Sequence, residues 1–211
     1  MNGLDFPISL RLADQRVLLI GAGKIATGRL TQLLEVAAKV HVVAWEASDE
    51  VLRLAAAGRI RFSQRGFEPS DCEGARVIFT ATDDPEVTQK VVAEARRRGI
   101  LCNAADAPEL CDFYLPSFGR RGPVTVSVST SGLAPGLSRT VRERALAAVG
   151  PEWGKLARLL GRLRRLTPPG PARTAALKSL ADAETAQTLA RGDRAGLWRR
   201  IRAVWPQGAS P

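Results

Sequence analysis

The segment VLLIGAGKIATGRL sets Gly21, Gly23 and Ala26 directly after an apolar run and at the head of a helical pattern. Two glycines and a small residue at this spacing form the G-x-G-x-x-G/A pattern of a dinucleotide loop. Gly21 permits the tight turn, Gly23 lets the backbone approach a pyrophosphate, and Ala26 lets the helix pack closely on the strand. Unpaired N–H groups and the dipole at the helix start attract phosphate. Gly21, Ala22, Gly23, Lys24, Ile25 and Ala26 are therefore the candidate cofactor loop. The alternative is a glycine-rich turn that binds nothing. Glu46 lies 23 residues past Gly23, where an acid can accept a bond from a ribose 2′-OH. No Arg or Lys stands between Val40 and Glu50 to hold a 2′-phosphate, so NAD is expected as the cofactor. Glu46 also fits a solvated loop residue.

A second group follows other apolar runs. Asp106 comes after Ile100–Ala104. A carboxylate at the C-terminal end of a parallel strand is placed for chemistry, and it can accept a proton or orient an N–H group. It can equally cap the turn at Ala107-Pro108. Thr80, Thr82 and Asp83 follow Val77–Ala81 at the same edge. Asn103 lies on the strand leading to Asp106, as a substrate contact, a loop fixer or a plain strand-end hydrogen bonder. Ser129, Thr130 and Ser131 offer hydroxyls to a substrate or to their own turn. The single histidine, His41, sits mid-strand and reads as core. Cys72, Cys102 and Cys111 show no CxxC spacing, so neither a disulfide framework nor a metal site is expected, and a reducing cytoplasm fits.

The elements that must hold these residues alternate. Strands are expected at Val17–Ile20, Val40–Ala44, Ile60–Phe62, Val77–Ala81 and Ile100–Ala104. Helices are expected over Ile25–Ala37, from a Ser48-Asp49-Glu50 start to about Gly58, and over Glu86–Arg98 behind Asp84-Pro85. This rhythm predicts an α/β fold, a Rossmann-type doubly wound parallel sheet. Phe113–Leu115 and Val124–Ser129 read as strands, with the turn at Phe118–Pro123. Helices then follow from Pro135 to about Val149, from Pro151 to about Leu166, near Arg173–Ala190 and near Asp193–Val204, and residues 206–211 are expected to fray. The expected division is an NAD-binding domain over 1–112, a strand and helix segment over 113–150, and a basic C-terminal helical region over 151–211.

No run approaches the roughly 18 apolar residues of a membrane helix, and no secretory signal is visible at the N-terminus. The formal charge of +10 has a location. Residues 1–138 hold 16 basic and 16 acidic side chains, and residues 139–211 hold 15 and 5. Such a field attracts a polyanion, whether nucleic acid, an acidic surface or a multiply carboxylated metabolite.

In LRLADQRVLLIGAGKIATGR (10–29), VIFTATDD (77–84), CNAADAP (102–108), FYLP (113–116) and VSVSTSGLAP (126–135), the chain resembles the precorrin-2 dehydrogenase family, found also as the N-terminal part of sirohaem synthases. The resemblance covers about residues 4–150. It implies NAD-dependent oxidation of precorrin-2 to sirohydrochlorin in sirohaem or cobalamin (porphyrin) biosynthesis, by a cytoplasmic homodimer with 113–150 as its dimerisation and substrate segment. It also implies Asp106 as the catalytic acid–base and Thr80, Thr82 and Asp83 as lining of the cofactor site. Precorrin-2 carries eight carboxylates, so Arg139 and Arg142 become candidate substrate contacts. Some relatives are also sirohydrochlorin ferrochelatases, for which Asp106 can serve as base. The rival readings are another NAD-binding Rossmann enzyme or redox sensor, and a basic nucleic-acid binder. Aromatic residues make up 5% of the chain and no nucleic-acid motif interrupts the helices, so neither nucleic acid nor membrane is expected as partner.

Overall fold

Arg16–Ile20 forms β1, and its alternate side chains fill two different cores. Val17 and Leu19 face one side, and Leu18 and Ile20 the other, as the two-residue strand period requires. The computed structural model describes residues 5–205. The expectation for 206–211 lies outside them. Two units divide the chain, Met1–Leu115 and Pro116–Pro211.

In the first unit, α1 (Lys24–Glu35), β2 (Lys39–Ala44), α2 (Asp49–Ala56), β3 (Arg61–Gln64), β4 (Val77–Thr80), α3 (Pro85–Arg97) and β5 (Leu101–Ala104) follow β1. The five strands are all parallel, in the order β3-β2-β1-β4-β5. The chain winds outward from β1 to β3, then returns to β4 on the other side of β1. That reversal between β1 and β4 is where ligands bind in an open α/β sheet. Ala26, Leu30 and Leu33 of α1 and Val51 of α2 cover one face. Val91, Val92 and Ala95 of α3 cover the other, with Cys72 and Cys102. Each fully buried Val or Leu contributes roughly 2 kcal/mol by leaving water. The doubly wound expectation is met.

Local signals explain the helix ends. Asp84 accepts from the N–H groups of Glu86 and Val87, and Pro85 takes the first helical position. Helix α1 stops through Ala37, whose φ of 57° is left-handed. Ala38 N–H donates to Leu33 O and Ala37 N–H to Leu34 O, the paired bonds of a Schellman turn. Ser48 departs from the expected cap. It precedes α2, but its hydroxyl makes no cap bond and instead lies 3.0 Å from Thr27 Oγ1.

The second unit holds β6 (Ser117–Arg121), β7 (Val124–Val128), α4 (Pro135–Ala148), α5 (Pro151–Leu166), α6 (Pro171–Leu180), α7 (Ala183–Ala190) and α8 (Arg194–Val204). From Phe113 onward the structure corrects the sequence reading in three places. Phe113–Leu115 is not a strand, and 118–121, expected as turn, is one. Phe113 is drawn onto Phe79, with ring centroids 5.7 Å apart and nearly perpendicular. The hairpin needs only Gly122 and Pro123 as its loop, since Arg121 pairs with Val124. Gly122 has φ 60°, and proline is held at negative φ, the combination of a type II′ turn. The helix expected over Arg173–Ala190 is two helices. Asp182 breaks it by accepting from Thr185 N at 2.7 Å as the cap of α7 and by pairing with Arg200.

Candidate cofactor and active site

The loop after β1 is closed by contact with β4. Gly21 has φ 96°, and a Cβ there would run into the carbonyl of Ala81. Gly21 N–H donates to Val43 O at 2.9 Å and Ala81 N–H to Ile20 O at 2.8 Å. Only glycine fits between these strands. Gly23 is the N-cap of α1 and is different in kind, because a Cβ there would meet nothing within 4 Å. No side chain caps this helix and no acid occupies its first turn. The N–H groups at its head therefore face open space with a positive dipole behind them, which fits a pyrophosphate. Ala22 and Ala26 are buried, whereas Lys24 and Ile25 are exposed. Ala26 thus serves the packing, as its size requires.

The end of β2 borders this loop. Ser48 N–H donates to Ala22 O at 3.1 Å, and Thr27 Oγ1 donates to Gly23 O at 2.9 Å. Glu46 is exposed beside them. Trp45, unremarked in the sequence, is 71% exposed at the same strand end. Its carbonyl receives Gln64 Nε2 at 3.3 Å, and a Cβ on Gly66 would sit 3.3 Å from its indole nitrogen. No local pattern in the sequence distinguishes Trp45; its exposure where β2 meets the glycine loop does.

Beyond β4 and β5 lies a cleft of about 420 Å³. Thr80, Thr82, Asp83 and Asp106 line it, together with Thr88, Gln89 and Glu109. Thr80 is its buried floor, with Oγ1 3.5 Å from that of Thr88. Thr82 Oγ1 accepts from Asp84 N at 3.4 Å. Asp106 is exposed on the rim, and among the described residues its carboxylate makes no hydrogen bond or ion pair. The short 3₁₀ turn after it, Pro108–Leu110, is capped at Ala107 without a side-chain bond. Asp106 is not a cap.

The loop carrying Asp106 has a stiff base. Asn103 is buried, and its amide donates to Phe113 O at 2.9 Å. Cys102 N–H donates to Asp112 Oδ2, and Asp112 N–H to Cys102 O, both at 2.9 Å. Cys111 Sγ receives Ala104 N–H at 3.2 Å and lies 3.1 Å from Ala104 O. Burial pushes the Cys102 thiol up to about 12 and raises that of Cys111, so neither is an ionised nucleophile. Asn103 thus fixes the loop. Arg29 of α1 lays its guanidinium 5.2 Å from the centre of the Phe79 ring, and burial lowers its pKa.

The remaining candidates belong to the second unit. Ser131 N–H donates to Ser129 Oγ, and Thr130 Oγ1 receives Ala134 N–H and lies 3.0 Å from Ser138 Oγ. Two of the three hydroxyls are engaged in the turn itself; among the described residues that of Ser131 makes no hydrogen bond. Arg139 and Arg142 both reach Glu143 Oε1, at 3.1 and 2.9 Å. The Nε of Arg142 is buried without a partner.

Among the described residues no cluster of His, Cys, Asp or Glu can hold a metal ion, and no helix is long and apolar enough to cross a membrane. His41 is core, as read. Its Nδ1 lies 3.4 Å from Arg16 Nη2, and its Nε2 lies 2.9 Å from Ser63 Oγ. Arginine can only donate, so the ring proton sits on Nε2. Burial first, then Arg61, lowers its pKa to about 4.

A family described as putative NAD(P)-binding matches residues 8–117. A siroheme synthase of Methylococcus capsulatus is 43% identical over 158 residues, covering 75% of this chain and 33% of that protein. That of Methylobacillus flagellatus is 39% identical, with 75% and 34% covered. The chain thus spans about a third of the length of these curated relatives. A solved structure of SirC, precorrin-2 dehydrogenase, superposes with a TM-score of 0.76 at 23% identity, over 94% of this chain and 100% of that one. At that identity the likeness speaks for the fold.

Proposed function

The chain belongs to the putative NAD(P)-binding family, and on that premise we propose that it oxidises precorrin-2 to sirohydrochlorin with NAD. One observation carries the proposal. The glycine loop abuts Ala81, and the segment that follows it lines the cleft with Thr82, Asp83 and Asp106, so cofactor loop and carboxylate share one sheet edge. The similarity to siroheme synthases supports a tetrapyrrole substrate, and the solved SirC structure, titled a precorrin-2 dehydrogenase, shares the fold.

The α1 N-terminus at Gly23 would hold the pyrophosphate, Glu46 the ribose, and Trp45 the flat adenine by stacking. NAD, when bound, supplies the hydride acceptor. Asp106, whose carboxylate no other side chain among the described residues engages, takes the ring proton or passes it to water. The reaction balances as precorrin-2 and NAD⁺ giving sirohydrochlorin, NADH and a proton. Thr80, Thr82 and Asp83 line the cofactor's part of that cleft; within the second unit, Ser131, Arg139 and Arg142 offer donors suited to carboxylates. A second copy of the chain covers Leu133, Leu137 and Val141, which are 81%, 56% and 42% exposed at four-residue spacing. The three unpaired thiols suit a reducing cytoplasm.

The test is NADH formation, followed by absorbance, when purified protein receives precorrin-2 and NAD. No reduction above the rate without protein would remove the proposal.

A further inference from the structure

Helix α8 sorts its arginines by side. Leu197, Ile201 and Val204 point into the core of the helical unit. Arg200, on that inner side, is engaged by Asp182, Glu184 and the hydroxyl of Thr185. The outer side is bare. Arg194, Trp198, Arg199 and Arg202 are all exposed, and their spacing sets them on one helix face. Among the described residues none of these three guanidinium groups has an ion pair or hydrogen bond. Asp193, the acid nearest in sequence, is turned away to cap α8 through Gly196 N at 2.8 Å. Trp198 is 49% exposed, with Arg194 and Arg202 one turn before and after it, each about 6 Å along the axis.

We propose that this face binds a planar, multiply carboxylated macrocycle; the choice of ligand rests on the tetrapyrrole reading above. The ring stacks on the indole, and peripheral carboxylates reach the guanidinium groups on either side, which bind them bidentately. Charge excludes a second copy of the same face. A bilayer is disfavoured because the apolar side of α8 is already buried in the core. The face accounts for three of the uncompensated cations in the C-terminal region.

The test uses uroporphyrin III, an octacarboxylate tetrapyrrole, titrated into the full chain while tryptophan fluorescence is followed, with correction for absorption by the probe. Saturable quenching that weakens as salt rises is expected. Trp198→Phe should lose most of the quench. Arg194→Glu with Arg202→Glu should weaken binding at least tenfold, with an unchanged circular dichroism spectrum; the paired Gln substitutions replace them if it changes. Absence of saturable binding, or binding equal to wild type in both variants, would overturn the proposal. So would a single-stranded oligonucleotide that binds at least as tightly and displaces the porphyrin, which would assign the face to nucleic acid. Wild-type protein that binds the porphyrin on this face but forms no NADH from precorrin-2 would sink the dehydrogenase reading and leave the face standing.

Discussion

The side-chain amide of Asn103 donates to the carbonyl of Phe113 at 2.9 Å and so ties the two ends of the loop that carries Asp106. Asn103→Ala leaves that carbonyl without its donor and frees the loop. A loss of about 2 kcal/mol is expected for a bond of this kind, and turnover should fall more than substrate KM rises. Normal turnover in a folded but less stable variant would confine Asn103 to stability.

Asp106→Asn separates catalysis from structure. The carboxylate makes no hydrogen bond or ion pair among the described residues, so melting temperature and NAD affinity should stay near wild type. Loss of acid–base assistance costs on the order of 10²–10⁴ in rate. Near-normal NADH formation would leave the proposed reaction without its base.

Gly23→Asp fills the open space at the head of α1 with a side chain and a negative charge. NAD affinity should fall at least about tenfold, or ~1.4 kcal/mol. The fold should survive, since a Cβ at this position has open space around it. Calorimetry showing unchanged NAD binding in the folded variant would disprove the assignment of the phosphate loop.

His41 gives the fold an acid limit. Its pKa is about 4 in the folded chain, against about 6.5 unfolded. Between these values the unfolded chain binds the proton and the folded chain does not. The stabilisation is therefore complete above about pH 6.5 and is lost as pH falls toward 4, by up to about 3 kcal/mol. Denaturant titrations of wild type and His41→Gln should show this slope only in wild type. Equal slopes would assign the acid sensitivity to other groups, such as Asp71, whose pKa is lowered mainly by its hydrogen bond to Arg65 against the opposing effect of burial.

Ala37 closes α1 in the left-handed region, which costs an L-residue with a Cβ roughly 1 kcal/mol that glycine escapes. Ala37→Gly should raise stability by a similar amount and leave cofactor binding alone. A lower melting temperature would mean that the entropy of the unfolded glycine outweighs the relieved strain.

The sequence by itself determined what depends on near neighbours. The unbroken apolar run VLLI and the three-to-four spacing of the following helix specified strand, turn and helix around Gly21 and Gly23, because chain sterics act over a few residues. Asp84-Pro85 announced α3 for the same reason. The resemblance in CNAADAP then singled out Asp106. What lay beyond was decided by contacts between distant residues. Nothing in a single asparagine tells that Asn103 turns inward to Phe113, ten residues on, while Asp106 is left to solvent. Ser129 and Thr130 looked ready for a ligand until their turn closed and used both hydroxyls. The strand at Ser117–Arg121 formed because Gly122-Pro123 suffices as a hairpin loop and Phe113 packs against Phe79, a contact no local pattern encodes. Trp45 became conspicuous only when the sheet brought the end of β2 beside the glycine loop and left its ring uncovered. Local sterics select the elements; which polar groups remain free for chemistry follows only after every buried donor and acceptor has found its partner.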